Sequence, residues 1–312
     1  MSVLNRRRFL QISAAACAGF ATGAAASPSP LLYHWKGSAM GAGASITLAH
    51  PEAEQIVADC LAEIDRLERI FSLFRPDSAL SRLNREGSLE NPPFEMLALL
   101  DICGAVHAAT GGLFDPTVQP LWASYAEHHA AGRAPSPKAL AAALERVGWQ
   151  HLRYDADRIA LARPGMALTL NGIAQGYVAD SVADRLAARG LTDILVNTGE
   201  FRALGGRPDG NPWPVRFDAG SQEAAGEIDL RDRALATSSP TGTVFDAAGQ
   251  AGHILHPRTG LPASSRWQLI SVTGPSAAVA DGLSTAMCLM SRDGMDAALA
   301  HFPDAAVAQL IG

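Results

Sequence analysis

Cysteine is scarce in this sequence, and the chain beyond residue 30 has no long apolar run. The 312 residues include only four cysteines, and none forms a Cys-x-x-Cys pair, which argues against a disulfide framework and against a zinc site. No stretch beyond residue 30 has the roughly 18 consecutive apolar residues of a membrane span. Internal repeats and long linkers are also missing, so we expect a mature chain that forms one compact body without a membrane span.

The chain also lacks an excess of basic residues. It has 25 Lys and Arg against 31 Asp and Glu, a formal net charge of -6. Three of the basic residues, Arg6, Arg7 and Arg8, fall in an N-terminal segment that contains no acid. Nucleic acids and anionic lipids select surfaces rich in Lys and Arg. The composition therefore excludes a general binder of either and leaves room for a local cationic pocket.

The N-terminal segment is typical of an export signal. Residues 5–11 read NRRRFLQ, an alanine-rich apolar stretch follows, and Ala24-Ala25-Ala26 provides a small-residue cleavage site. The Arg6-Arg7 pair favours the twin-arginine type, which carries folded proteins across the bacterial inner membrane; an ordinary secretory signal is the alternative. We expect a signal peptide at residues 1–26 and a periplasmic mature domain at 27–312.

Hydrophobic periodicity predicts helices and strands without regular βαβ alternation. Apolar spacing and helix stop signals predict helices over 52–71, 94–109, 137–147, from NGIAQGY to 190, and over 277–290. Strands are predicted at 193–197, 213–217 and 268–274, with a hairpin over 158–170 that turns at Arg163-Pro164-Gly165. This mixture indicates an α+β fold rather than a doubly wound parallel sheet.

Two glycine-rich segments each allow two interpretations. GSAMGAG (37–43) suits close approach of the backbone to a ligand, and it equally suits a glycine-containing strand edge. GGLFDPTV (111–118) is a candidate binding loop, or else a helix stop followed by a proline turn that Asp115 caps.

Two later segments carry candidate chemistry. Asp281, Ser284 and Thr285 have the i, i+3, i+4 spacing that places three oxygens on one helix face, a donor set suited to Mg²⁺ or Ca²⁺. Ordinary capping of a helix N-terminus is the alternative. His253 and His256 flank an apolar pair before a Pro-Arg-Thr-Gly turn, so either imidazole is a candidate acid or base or a structural residue.

The order of eight motifs resembles the ApbE family of periplasmic FAD:protein FMN transferases. The matching blocks are Met40-Gly41, FSLFRPDSALSRLN (71–84), GGLFDPTVQPLW (111–122), NGIAQGYVAD (171–180), VNTGE (196–200), ALATSS (234–239), GHILHPRTGLP (252–262) and ADGLSTA (280–286). The leader and the wording LTLNGIAQGY are most similar to the NosX branch, which serves nitrous oxide reductase maturation.

The resemblance implies a single ApbE-like body of mixed sheets with flanking helices, and a defined reaction. Members bind FAD and Mg²⁺, move FMN onto a threonine hydroxyl of an acceptor protein and release AMP. The acceptor is expected to be the flavin-binding domain of a membrane-bound electron-transfer protein. By analogy His253 and Asp281 are catalytic. The implied metal ligands are the Gly172 carbonyl, Asp281, Ser284 and Thr285. The implied flavin contacts are Met40, Phe74, Leu113, Phe114, Asp115, Thr169, Gln175 and Leu255, with Phe74 stacking on an aromatic ring of FAD.

Three positions depart from the family pattern. Thr169 stands where many members have an acid, Gln175 where they have a lysine, and His256 where they have an aspartate. Gln175 donates hydrogen bonds but cannot neutralise a phosphate as lysine does. Two alternatives therefore stay open, namely an FAD hydrolase that yields FMN and AMP and a non-catalytic periplasmic flavin-binding accessory protein.

Overall fold

Twelve strands and eight α-helices build the described part of the chain. The computed structural model describes residues 31–217, 226–264 and 266–312, so the predicted signal peptide at 1–26 lies outside the described residues. The strands are β1 (Tyr33–Ala39), β2 (Ala42–Leu48), β3 (Ser88–Glu90), β4 (Leu152–Tyr154), β5 (Arg158–Leu161), β6 (Ile194–Asn197), β7 (Phe201–Leu204), β8 (Trp213–Phe217), β9 (Gly226–Leu230), β10 (Ala234–Ser238), β11 (Leu269–Gly274) and β12 (Ala306–Ile311). The helices are α1 (Ala53–Phe71), α2 (Ala79–Glu86), α3 (Phe94–Ala109), α4 (Gln119–Ala130), α5 (Pro137–Leu144), α6 (Ala174–Ala188), α7 (Ala277–Met287) and α8 (Arg292–Leu299).

The main sheet has seven strands in the order β1-β2-β6-β7-β10-β11-β12. Every neighbouring pair is antiparallel, and the strands of this sheet follow one another in chain order. The other elements are excursions between successive strands. The α+β class is confirmed, with a small sheet of β3, β5 and β4 and a β8-β9 hairpin as satellites.

The two faces of the main sheet bury different partners. Side chains of consecutive strand residues point to opposite faces. Ile46 and Val196 are therefore buried in the large core that the helices share, whereas Leu195 and Phe201 are buried in a smaller core beneath the β8-β9 hairpin. Burial on both faces explains why β6 reads as an apolar run rather than an alternating one.

Helices α6 and α7 pack against each other and bring two of the motifs together. A Cβ atom built on Gly176 would overlap the carbonyl group of Ala277, so the close approach of the two backbones depends on this glycine. The Asp180 carboxylate accepts hydrogen bonds from the Ser276 hydroxyl at 2.8 Å and from the backbone N–H groups of Ala277 and Ala278 at 2.9 and 3.0 Å. A side chain of α6 therefore caps the N-terminus of α7.

The strongly periodic segments fold as predicted. Helix α3 has the predicted bounds and α1 begins one residue later than expected. Helix α5 ends at Leu144 instead of 147, and α7 ends at Met287 instead of 290. The predicted strands at 193–197, 213–217 and 268–274 form β6, β8 and β11. Within the described ranges, no helix is long and apolar enough to cross a membrane.

The predicted hairpin over 158–170 is wrong in its second half. Only Arg158–Leu161 forms a strand, and it pairs with β3 and β4. The segment after the turn buries Leu168 but forms no strand, because the Asn84 side chain satisfies the backbone there. Its amide donates to the Leu168 carbonyl at 2.8 Å, and its carbonyl accepts from the Leu168 N–H at 2.7 Å. The alternation of apolar residues after the turn therefore reflects burial and not pairing with a neighbouring strand.

Candidate functional site

A cavity of about 610 Å³ gathers most of the residues that the motifs singled out. Its wall includes β1 and β2, the loop after α3, the N-terminal part of α6, the turn between β6 and β7, the loop that follows β10, and α7. The predicted site residues that line it are Leu113, Phe114, Asp115, Thr169, Gly172, Gln175, His253, Leu255, Asp281 and Thr285. Chain segments more than 100 residues apart thus meet at one site.

Four other singled-out residues lie outside this lining. Met40 occupies the turn of the β1-β2 hairpin with a positive φ of 50°, and its N–H donates to Glu68 Oε1 at 2.6 Å. Phe74 is 68% exposed. Ser284 is fully buried, and His256 accepts a hydrogen bond from the Arg258 N–H within its own turn. The structure therefore does not bring the expected flavin contacts Met40 and Phe74 to the cavity wall.

Asp281 and Thr285 lie one turn apart within α7 and line the cavity. The N-cap of this helix is Ser276, so the alternative that Asp281, Ser284 and Thr285 cap a helix N-terminus is wrong. The Thr285 hydroxyl is 3.5 Å from the Gly172 carbonyl oxygen, to which it donates. Asp281, Thr285 and the Gly172 carbonyl, three of the four implied metal ligands, thus share one part of the wall.

Ser284 acts behind this wall. Its hydroxyl donates to the Asp281 carbonyl oxygen at 3.0 Å and lies 2.7 Å from the hydroxyl of Ser238. Ser238 lines the cavity and lies 3.4 Å from the Thr285 hydroxyl. Ser284 therefore positions other polar groups, and its own oxygen does not face the cavity.

A second buried carboxyl, that of Glu200, faces the same cavity. Glu200 is 6% exposed and Asp281 is 3% exposed. Glu200 accepts a hydrogen bond from the Thr237 N–H at 2.9 Å, and Asp281 accepts one from the Gly176 N–H at 3.3 Å. Within the described part of the chain, the second oxygen of each carboxyl has no hydrogen-bond partner. Two half-satisfied carboxyl groups therefore border one cavity.

Burial disfavours the charged form of both groups. Desolvation raises the pKa of Asp281 from its usual 3.8 to about 8. Desolvation first, and the nearby charge of Asp281 second, raise the pKa of Glu200 well above its usual value. A cation between the two would restore the charged forms. The VNTGE block ends in Glu200, but the resemblance implied no role for this residue. Its signal in the sequence is an acidic residue placed between two apolar strands.

His253 also reaches the cavity. Its Nδ1 lies 3.0 Å from the Thr243 carbonyl oxygen, to which it donates as Nδ1–H, so the lone pair of the neutral ring is on Nε2. Burial lowers the pKa of this imidazole. A neutral imidazole with an unprotonated Nε2 is suited to accept a proton from a bound hydroxyl.

Each of the two glycine-rich segments has a structural role and also forms part of the cavity wall. GSAMGAG forms the facing ends of β1 and β2, and Gly37 and Gly43 from it line the cavity. Asp115 caps the short 3₁₀ turn Pro116–Val118 through hydrogen bonds to the N–H and hydroxyl of Thr117 at 2.8 and 2.6 Å. Helix stop and cap are therefore confirmed, and the capped loop forms part of the wall.

Comparison with known proteins places the chain among flavin transferases. The sequence model described as the ApbE family matches residues 40–308. A Vibrio cholerae FAD:protein FMN transferase is 32% identical over 247 residues, which are 74% of this chain and 73% of that protein. The Haemophilus influenzae protein of the same name is 28% identical over 78% of this chain and 73% of its own length.

Solved structures agree. The apo form of the Pseudomonas stutzeri flavinyl transferase ApbE superposes with a TM-score of 0.77 at 29% identity, covering 88% of this chain and 90% of that one. Together with the match over residues 40–308, the motif order and the shared fold lead to one conclusion, that the chain belongs to the ApbE family.

Proposed function

We propose that this protein transfers the FMN moiety of FAD onto a threonine hydroxyl of an acceptor protein and releases AMP. The observation that carries the proposal is the pair of half-satisfied carboxyl groups, Asp281 and Glu200, which border one cavity with His253. The names of the relatives support the same reaction. In this reaction the threonine Oγ attacks the phosphorus of the FMN phosphate. The bond from that phosphorus to the AMP phosphate oxygen breaks, and AMP leaves.

The donor groups fit Mg²⁺. All are hard oxygens, and Asp281 and Glu200 are buried carboxyl groups whose charged forms require a cation. Thr285 and the Gly172 carbonyl complete the group of residues that would hold it. When bound, Mg²⁺ supplies charge neutralisation on the pyrophosphate oxygens, which phosphoryl transfer requires. Ser284 supports this group through Ser238 and is not itself a ligand in our proposal.

His253 is the proposed proton acceptor. The Thr243 carbonyl accepts from Nδ1–H, so the lone pair of the neutral ring is on Nε2 and would take the threonine proton as the hydroxyl attacks. The lowered pKa of His253 keeps the ring neutral at pH 7, as a base requires. Thr169 and Gln175 line the same cavity and contribute hydrogen bonds rather than charge.

Two features of the sequence support a setting for the proposed reaction. The Arg6-Arg7 leader supports export by the twin-arginine route to the periplasm. The LTLNGIAQGY wording supports a place in the NosX branch, which serves nitrous oxide reductase maturation. The acceptor is then the periplasmic flavin-binding domain of a membrane-bound electron-transfer protein.

The test combines residues 27–312 with FAD, Mg²⁺ and the flavin-binding domain of a candidate acceptor, and measures the intact mass of the acceptor. We expect a gain of one FMN moiety that is lost with EDTA and when the acceptor threonine is replaced by alanine. Free AMP with an unmodified acceptor would indicate the hydrolase instead. Bound, intact FAD with no AMP under any acceptor would indicate the accessory protein.

A further inference from the structure

Trp122, the last residue of the GGLFDPTVQPLW block, gives the cavity an aromatic wall and is not among the flavin contacts that the resemblance implies. It lies in the first turn of α4, is half-buried and lines the cavity beside Leu113 and Leu255. In the part of the chain that the structure describes, its indole N–H has no hydrogen-bond partner. The ring is therefore neither buried in the core nor held by a polar contact of its own.

One aromatic ring packs against the indole of Trp122. Phe245 meets it edge-on, with ring centroids 5.3 Å apart and planes at 67°. Phe245 in turn stacks on Tyr125, which is buried one turn further along α4, at 5.4 Å and 27°. Packing therefore sets the orientation of Trp122 before any ligand arrives, and little ordering cost remains for binding.

Other aromatic residues are poorly placed for stacking. Phe74, the expected stacking residue, is 68% exposed and does not line the cavity. Among the Phe, Tyr and Trp side chains that the structure describes, only Phe114 and Trp122 line it, and Phe114 is buried. Trp122 is thus the aromatic residue that offers the cavity the most open ring surface.

We infer that Trp122 stacks on a planar ring of FAD, either the isoalloxazine or the adenine. The inference rests on the proposed function, because it requires FAD to enter this cavity. The carboxyl groups form one part of the wall, and Trp122 belongs to an apolar cluster with Val118 and Leu255. The pyrophosphate of FAD belongs beside the carboxyl groups. The apolar cluster around Trp122 is then left for a planar ring of FAD.

The test measures binding of FAD, FMN and AMP by calorimetry in Mg²⁺ without acceptor, using Trp122→Leu, Trp122→Phe and the matched control Trp149→Leu. Trp149 stacks on His107 and does not line the cavity. Stacking of a base on an aromatic side chain is worth enough to predict an FAD Kd about tenfold higher in Trp122→Leu. We expect no more than about threefold in Trp122→Phe, which keeps an aromatic face.

The two products identify the ring. Of the two products, a loss of affinity for FMN alone assigns the isoalloxazine. Bound FMN should then fluoresce more strongly in Trp122→Phe, because a stacked indole quenches flavin emission and a phenyl ring does not. A loss confined to AMP assigns the adenine. Wild-type affinity for all three ligands in Trp122→Leu, or an equal loss in Trp149→Leu, would overturn the inference. If the wild-type protein transfers FMN while Trp122→Leu binds normally, only the inference fails. If the wild type binds no FAD, the proposed function fails with it.

Discussion

The carboxylate of Asp281 accepts a hydrogen bond from the backbone N–H of Gly176, which lies 105 residues earlier in the chain. The bond joins α7 to the first turn of α6, where Gly176 also lets the two backbones approach closely. Gly176 thus serves the packing of the helices and the position of a candidate catalytic carboxyl at once.

Replacement of Gly176 by alanine should destabilise the protein. The new Cβ would overlap the Ala277 carbonyl, which belongs to the backbone of α7 and cannot move aside like a side chain. We expect a loss of about 2–4 kcal/mol in the free energy of unfolding, measured by urea denaturation. Gly104→Ala in α3 is the control, since its Cβ would meet Trp149 at an ordinary 3.4 Å. That variant should be neutral or gain up to about 1 kcal/mol. Equal stability of the two variants would contradict the close approach.

Asp281→Asn should remove transfer while preserving the fold. The asparagine side-chain oxygen still accepts from the Gly176 N–H, so packing is retained, but the negative charge is lost. Changes even to the outer partners of metal ligands cost about 10- to 100-fold, so we expect FMN transfer to fall about 100-fold or more. Acceptor mass spectrometry measures transfer, and thermal unfolding checks the fold. Asp293→Asn, an exposed change in α8, is the matched control and should have wild-type activity. Full activity of Asp281→Asn would refute the metal assignment.

Binding of Mg²⁺ should strengthen as pH rises. With a folded pKa of about 8, Asp281 carries a proton at pH 6 that Mg²⁺ must displace. The apparent affinity is therefore expected to rise from about pH 6 to about pH 9, by at most about tenfold per pH unit for this proton. Calorimetric titration with Mg²⁺ measures it.

The same shift has a consequence for stability without metal. Between pH 4 and 8 the folded carboxyl of Asp281 holds a proton that the unfolded chain has released, so its contribution to stability falls as pH rises.

Glu200→Gln, which keeps the acceptor for the Thr237 N–H, should weaken Mg²⁺ binding without unfolding the protein. An Mg²⁺ affinity that is independent of pH would contradict the role of Asp281.

The acid limb of the transfer rate should depend on His253. Because burial lowers its pKa below the usual 6.5, the ring is mostly neutral at neutral pH and becomes protonated as pH falls into the acid range. At saturating Mg²⁺ the rate should therefore be level at neutral and alkaline pH and decline in the acid range. His253→Gln should lose about 10²- to 10⁴-fold in rate and also lose the acid limb. His256→Gln is the control, because His256 does not line the cavity. A larger loss of transfer rate in His256→Gln than in His253→Gln would assign the role of proton acceptor to His256 instead.

The sequence predicts what depends on local periodicity and fails where distant segments decide. Helices α1 and α3 are predicted to within one residue, since their apolar spacing alone determines the buried face. The second half of the predicted hairpin is wrong because Asn84, far away in the chain, satisfies the backbone that a neighbouring strand would have paired.

The candidate site shows the same limit. Motif order identified ten of the cavity-lining residues, among them His253 and Asp281. It did not single out Glu200, whose partner Asp281 lies on another element, nor Trp122, whose exposure to the cavity depends on Phe245 behind it. Phe74 was chosen by resemblance, and its side chain lies outside the cavity in this chain.

The chain-order arrangement of the main sheet bears on biosynthesis. Each strand pairs with the preceding strand of that sheet, so the sheet can be assembled in the order in which a ribosome releases the chain. The cavity cannot, because its wall runs from His34 on β1 to Leu289 just after α7. A nascent chain that has reached β11 already holds six strands of the sheet and yet lacks Asp281 and Thr285. Flavin capture is thereby reserved for a chain whose synthesis is nearly finished.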